Sequence, residues 1–246
     1  MGSGVVWDSQ PRIEWDECGT KCAFLVARPP DFEIFETILF ERGRPRFWRE
    51  HIARMRSSAA FFGYPFATRA IERERLRITR GLARGNRYRV RLLVARDGNI
   101  RWESSILPGT TPTVRGAPVK DLPRVVMARK PVNESEPLLF HKTTCRPWYE
   151  SAMAHARAGA YYDMVFMNSR GQITECSMNN IFIEKRSMLY TPPIDCGLLP
   201  GVLRKRLLRG GKCRERILKT RDLLNADAVY CGNSVRGLVR VKPDLR

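Results

Sequence analysis

The chain has 246 residues, 43% of them hydrophobic and 28% charged, a composition that suits a folded chain with length enough to bury one large core or two small ones. No run approaches the roughly 18 apolar residues of a membrane span, and the N-terminus lacks a basic segment followed by an apolar one, so a cytoplasmic protein with no membrane partner is expected. The net charge of +19 invites a polyanion, but the arginines fall singly over many segments, as in "IERERLRITRGLARGNRYRVRLL"; no nucleic acid is expected, and an anionic small molecule is.

In chain order, "FEIFETILFERGRPRF" reads as a strand that turns around Gly43. In "FWREHIARMRSSAAFF", Trp48, Ile52, Met55, Ala59 and Phe62 fall on one helical face, and Gly63 and Pro65 end the helix. "ATRAIERERLRITRGLARG" predicts a more polar helix closed at Gly85. "RYRVRLLVARDGNIRW" alternates Tyr88, Val90, Leu92 and Val94, turns at Asp97-Gly98 and resumes at Ile100 and Trp102, the pattern of a hairpin. Residues 107–119, rich in Pro, Gly and Thr, predict a linker. Beyond it "RVVMARKPV", "DMVFMNSRGQITE" and "NNIFIEKRSMLYTPP" read as strands and hairpins, and helices are expected from Pro200-Gly201 and near Leu223. The result is two α+β halves joined near residue 118, the second richer in strands.

The seven cysteines are an odd, scattered set, of which only Cys18 and Cys22 are close. With three histidines in the chain no zinc spacing is completed, so free thiols and no metal are expected.

Nine of the 44 basic residues are lysine, so each lysine departs from the habit of the chain. Lys142, in "LFHKTTCRPWYESA", follows an apolar run. Alone it is either one more solvated cation or an amine placed for chemistry. Its company in order along the chain narrows the choice: "EHIARM" upstream, then "GQITECSMNNIF", "TPPIDCGLLPGVLR" and "CGNSVRG". This constellation resembles the class IV aminotransferase family, the fold type IV enzymes of pyridoxal 5′-phosphate. Within the family, "FETILFERG…HIARMRSSAAFFGYPF" and "LFHKTTCRPWY…GLLPG…NSVRG" are most similar to aminodeoxychorismate lyase as it occurs in the C-terminal half of fused para-aminobenzoate synthases. The resemblance spans residues 23–240.

The resemblance implies a role for each motif. Lys142 would carry the cofactor and act as the general base, a task that suits lysine because burial or a neighbouring cation lowers its pKa. Glu175 would face the pyridine nitrogen, keeping it protonated so that the ring can take up electrons. The phosphate would lie on the amides of Val202 and Leu203, where "LLPGVLRKRLL" opens a helix, with Arg54 as its cation. Periodicity alone would turn Arg54 to solvent, off the face of Ile52 and Met55. Asn233 and Ser234 would close over the phosphate and the substrate carboxylate, although Gly-Asn-Ser serves a plain β-turn equally well. Thr37 in "FETIL" would handle protons beside the lysine. Arg146, or one of Arg89 and Arg91, would meet a substrate carboxylate.

Residues 1–24 resemble the last strand and helix of the chorismate-binding synthase that precedes the lyase in fused enzymes. The implied organisation is that remnant, a small N-terminal domain over 25–118, and a larger β-barrel-like C-terminal domain over 119–246 that binds the cofactor. The implied reaction splits 4-amino-4-deoxychorismate into 4-aminobenzoate and pyruvate, a step toward folate, in a homodimer. Two rivals stand beside it. One is an aminotransferase for another amine on the same fold, and the other a binding protein for an anionic partner.

Overall fold

Alternating burial along Ile34–Glu41 opens the first sheet. In this strand, β1, the side chains of Ile34, Glu36 and Ile38 face the interior while Phe35 and Thr37 face the other way, as the twofold period of a strand requires. The computed structural model describes residues 31–107 and 122–244. The chain forms two compact units, Met1–Phe32 and Glu33–Arg246, and everything below belongs to the second. The expected segment 1–24, the boundary near 118, and Cys18 and Cys22 lie outside the described residues, as does the linker 107–119 apart from Leu107.

Strand β1 lies between β2 (Arg44–Pro45) and β3 (Arg87–Val94), and β4 (Ile100–Ile106) forms the far edge, giving a four-stranded antiparallel sheet in the order β2-β1-β3-β4. Helix α1 (Trp48–Phe62) covers β1 with a stripe of His51, Ile52, Met55, Ser58 and Ala59. Two polar residues therefore stand in a face that periodicity marked by its apolar ones. Gly63, at φ +70°, ends the helix by donating its N–H to the carbonyls of Ala59 and Ala60. Helix α2 (Thr68–Gly81) stops four residues before the expected Gly85. Leu82 is buried and its backbone is extended, so seating that side chain draws the chain out of the helix.

The rest builds a mixed eight-stranded sheet in the order β10-β9-β8-β11-β12-β5-β6-β7. Its strands are β5 (Arg124–Met127), β6 (Asp163–Met167), β7 (Ile173–Cys176), β8 (Asn180–Lys185), β9 (Met188–Thr191), β10 (Cys213–Glu215), β11 (Ala228–Asn233) and β12 (Gly237–Asp244). Strand β5 is shorter than "RVVMARKPV" suggested: it ends at Met127, and beyond it Val132 keeps only an isolated bridge to Asn168. Strand β7 is one edge of the sheet, yet only three residues separate it from β8, third from the opposite edge. So short a link forces the sheet to curl until its edge returns beside β8. There Cys176 donates its N–H to Asn179 O, and its Sγ lies 3.5 Å from Cys231 Sγ on β11. The five described cysteines are free thiols.

Val125, Val165, Ile173, Ile181, Ile183, Val229, Val239 and Val241 fill the concave side of the curl. Each contributes roughly 1.5–3 kcal/mol by leaving water. A second cluster, with Val132, Leu139, Tyr149, Ala152 and Phe166, lies under helix α3 (Pro147–Arg157), an element the sequence reading had not marked. Helices α4 (Val202–Arg209) and α5 (Thr220–Leu224) stand where expected. No helix among the described residues is long and apolar enough to cross a membrane.

Candidate active site

A cavity of about 520 Å³ is lined by residues of both sheets, and all eleven candidate site residues are on its wall. Thr37, Arg89 and Arg91 come from the small sheet and Arg54 from helix α1 that covers it; Lys142 and Arg146 come from the segment between β5 and β6, and the large sheet and its connections supply Glu175, Val202, Leu203, Asn233 and Ser234.

Lys142 is half-buried, and its segment is stitched to the start of β1. Phe35 donates its N–H to Lys142 O (2.9 Å), Thr144 donates to Glu33 O (2.9 Å), and Glu33 N–H returns to Thr144 Oγ1 (2.9 Å). This register turns the amine toward the Phe35 ring, 4.6 Å from its centroid, and Arg91 sets its guanidinium against the same ring at 4.7 Å. Burial, then the positive charges of Arg146 and Arg54, push the Lys142 pKa down to about 7; Glu36 and Glu175 pull the other way. Thr37 lies two residues beyond Phe35 on the same face of β1, and Arg91 is its register partner on β3.

Glu175, on β7, is buried rather than a solvated hairpin residue. Its Oε1 accepts from the Tyr149 hydroxyl at 3.2 Å and Arg146 Nη2 at 3.4 Å, and its Oε2 accepts from Asn180 Nδ2 at 3.1 Å. Burial raises its pKa to about 7, against the opposing effects of Arg146, the Leu199 backbone, Lys142 and Tyr149. The Arg146 guanidinium also stacks 4.6 Å from the centre of the Tyr149 ring.

Arg54 does not point to solvent; its side chain is 12% exposed. Nε and Nη2 donate to the two oxygens of Glu36, each at 2.7 Å, and Nη1 donates to Pro200 O at 3.1 Å. His51 Nδ1 adds a third bond to Glu36 at 2.6 Å; since a carboxylate only accepts, the proton is on the ring nitrogen. Burial works to raise the Glu36 pKa, but Arg54 and His51 outweigh it and hold it at about 2. Glu36 and His51 are not on the cavity wall but fix Arg54 in place, a role that no sequence motif assigns to either.

Pro200 leads into Gly201, the N-cap of α4, which carries no side-chain cap. The amides of Val202 and Leu203 are therefore left for a ligand at the cavity wall. Gly201 has no room for a side chain: a β-carbon there would overlap Asn180 Oδ1. Asn180 itself bridges Glu175 and Leu199 O (3.0 Å), so the helix start, the buried carboxylate and Arg54 are held as one block. Asn233 uses its side chain within the protein, donating to Asn179 Oδ1 at 2.7 Å and accepting from the amides of Val235 and Arg236 at 3.0 and 2.9 Å. Ser234 faces the cavity half-buried. Arg89 is exposed at the rim. Arg157, at the end of α3, and Arg236 join the lining unanticipated.

The description "Amino-transferase class IV" matches residues 33–243. A Schizosaccharomyces pombe protein named "Putative aminodeoxychorismate lyase" is 27% identical over 226 residues, covering 86% of this chain and 91% of that one. The crystal structure of a "Putative amino-acid aminotransferase" from Mesorhizobium loti superposes with a TM-score of 0.76 at 33% identity, over 87% of this chain and 100% of the other. The PLP-bound form of a hypothetical aminotransferase from Mycobacterium tuberculosis shares the fold at a TM-score of 0.68 and 22% identity, over 86% and 81% of the two chains. With the family match running through both sheets, the chain belongs to the class IV aminotransferases.

Proposed function

We propose that this protein is a pyridoxal 5′-phosphate enzyme that splits 4-amino-4-deoxychorismate into 4-aminobenzoate and pyruvate. The residues present suit that cofactor. Uncapped amides at the start of α4 beside Arg54 suit a phosphate, buried Glu175 suits a ring nitrogen, and the amine of Lys142 suits an aldehyde. When bound, the cofactor supplies an acceptor for the electrons released at the amine-bearing carbon.

The protein supplies the rest. Arg54 and the Val202 and Leu203 amides would hold the phosphate, and Glu175 would keep a proton on the ring nitrogen. With its pKa near neutrality, Lys142 Nζ can take the proton from the amine-bearing carbon, which stays without a hydrogen in the aromatic product, so that this proton leaves with the enolpyruvyl oxygen. Departure of the enolpyruvyl oxygen then leaves an aromatic ring, and Thr37, on the same wall, stands where a hydroxyl can pass a proton. Pyruvate carries away the three carbons that the aromatic product loses.

The observation that carries the lyase reading is the charge of the lining. Arg89, Arg91, Arg146, Arg157 and Arg236 share the cavity with Lys142 beyond the arginine assigned to the phosphate, which suits a substrate bearing two carboxylates. The name of the Schizosaccharomyces relative supports it. The aminotransferase reading draws on the Mesorhizobium relative and uses the same cofactor residues.

Product analysis separates them. Incubated with aminodeoxychorismate and the cofactor but no keto acid, the protein is expected to release 4-aminobenzoate and pyruvate in equal amounts over many turnovers. Rapid conversion of the cofactor by leucine or D-alanine, with no aromatic product from aminodeoxychorismate, would replace the lyase by an aminotransferase. The same reading takes the enzyme to be a cytoplasmic homodimer.

A further inference from the structure

Another buried carboxylate, not itself on the cavity wall, anchors a stretch of the lining. Asp163, the first residue of β6, is fully buried. It accepts four hydrogen bonds: Ser177 Oγ at 2.5 Å and Met164 N at 2.9 Å on Oδ1, and Asn179 Nδ2 at 2.7 Å and Met178 N at 3.3 Å on Oδ2. Ser177, Met178 and Asn179 form the link between β7 and β8 and line the cavity. Burial raises the Asp163 pKa, and the Ser177 and Asn179 bonds oppose that rise.

The bonds continue outward with one polarity. An ionised carboxylate can only accept, so Asn179 must turn its NH2 toward Asp163 and its carbonyl oxygen away. That oxygen then accepts from Asn233 Nδ2 at 2.7 Å, which leaves Asn233 Oδ1 for the amides of Val235 and Arg236. An isolated asparagine can sit in either of two amide orientations. Here the carboxylate at one end and the backbone N–H groups of Val235 and Arg236 at the other fix both. Reversing Asn179 would set its oxygen against the carboxylate and its NH2 against that of Asn233; reversing Asn233 would set oxygen against the oxygen of Asn179 and NH2 against backbone N–H. Ser234, Val235 and Arg236, the residues this turn presents, all line the cavity.

We propose that Asp163 is a positioning residue: through the amides of Asn179 and Asn233 it fixes the Ser234–Arg236 turn as one wall of the ligand cavity. The carboxylate touches no ligand itself. It determines where the turn's side chains and amides stand when a ligand arrives.

Amide hydrogen exchange on the cofactor-free protein tests this, with the dissociation constant for pyridoxal 5′-phosphate as a second readout. In Asp163→Asn, exchange at Val235 and Arg236 should speed up about tenfold, the scale of one lost hydrogen bond, while Ile181 and Val229 in the surrounding sheet hold their rates. The dissociation constant should rise several-fold. The exchanged pair Asp163→Asn with Asn179→Asp reverses the first bond but keeps the second, since the new amide donates to a carboxylate that still accepts from Asn233. It should return both readouts to within about twofold of the wild type. If Asp163→Asn fails to fold, Asn179→Ala breaks the same row one step further out and should produce the same acceleration. Unchanged exchange at Val235 and Arg236 in these single variants, or an exchanged pair no better than Asp163→Asn, overturns the proposal. The exchange readout needs no ligand, so it decides the matter even if the wild type binds no cofactor.

Discussion

Arg54 gives two parallel hydrogen bonds of 2.7 Å to Glu36, a fully buried carboxylate. The cation assigned to the phosphate is thus itself held by a buried anion. Such a pair resists removal of one member, because the survivor is left charged, buried and unpaired.

Replacing Glu36 by Gln should therefore cost about 3 kcal/mol of stability at neutral pH, as read from urea unfolding. The pH dependence carries a sign. The Glu36 pKa falls from an ordinary 4.5 to about 2 in the fold, so its contribution is full above 4.5 and is lost as pH falls through 2. Between those two values the wild type should lose stability that Glu36→Gln no longer has to lose. Parallel acid titrations of both proteins check this, and equal slopes would refute it.

Lys142 and Glu175 predict the opposite kind of effect. Glu175, raised to about 7, gives a contribution that is full below 4.5 and fades as pH rises to 7. Lys142, lowered to about 7 from 10.5, costs stability below 7 and costs progressively less as pH rises toward 10.5. The cofactor-free protein should therefore show a shallow stability minimum near neutral pH. Lys142→Met should raise its stability at pH 7 by about 2 kcal/mol while abolishing activity, the trade expected where function keeps ionisable groups out of water.

Borohydride reduction of the loaded protein should fix a pyridoxyl group on the peptide containing Lys142. A tag on any other lysine, or on none, removes the assignment. Glu175→Gln should keep the cofactor but lose most of its turnover, because a neutral amide cannot hold the ring-nitrogen proton. Near wild-type rates in this variant would make the buried carboxylate structural.

Gly201→Ala tests the helix start. The added methyl overlaps Asn180 Oδ1, and relieving it must move a side chain that also bonds Glu175 and Leu199 O. We expect a weakening of cofactor binding by at least about tenfold, with overpacking costing about 1–3 kcal/mol of stability. Titration by visible absorbance and urea unfolding measure the two effects.

How much of this was legible beforehand differs from residue to residue. Lys142, Glu175, Arg54 and the start of α4 were found because each stands in a motif, and the cavity gathers all of them. Glu36 was missed although its signal was present: it shares a strand face with Ile34 and Ile38, and a carboxylate in an apolar row implies a buried partner. His51 and Ser58 are the same lesson on α1, polar residues whose position in the stripe outranks their chemistry. Helix α3 escaped because its apolar residues, Tyr149 and Ala152 among them, are sparse, though Pro147 at its first turn marks the start. The curl of the large sheet depends on which strands pair across more than a hundred residues, as in β12 with β5, and no local pattern encodes that.

The bonds between Lys142 and the first residues of β1 have a mechanical consequence. The amine travels with the small sheet, to which its backbone is fastened, while Glu175 travels with the large one. A molecule gripped by both is a tie-bar between two halves of the protein. Bound at a hundred times its dissociation constant it adds about 2.7 kcal/mol to stability, and that gain should appear as slower opening along the seam between the sheets rather than as stiffening of either alone. Losing the lysine should cut only one of the ties, since the phosphate cradle itself joins Arg54 on α1 to the amides of α4, and part of that slowing should survive.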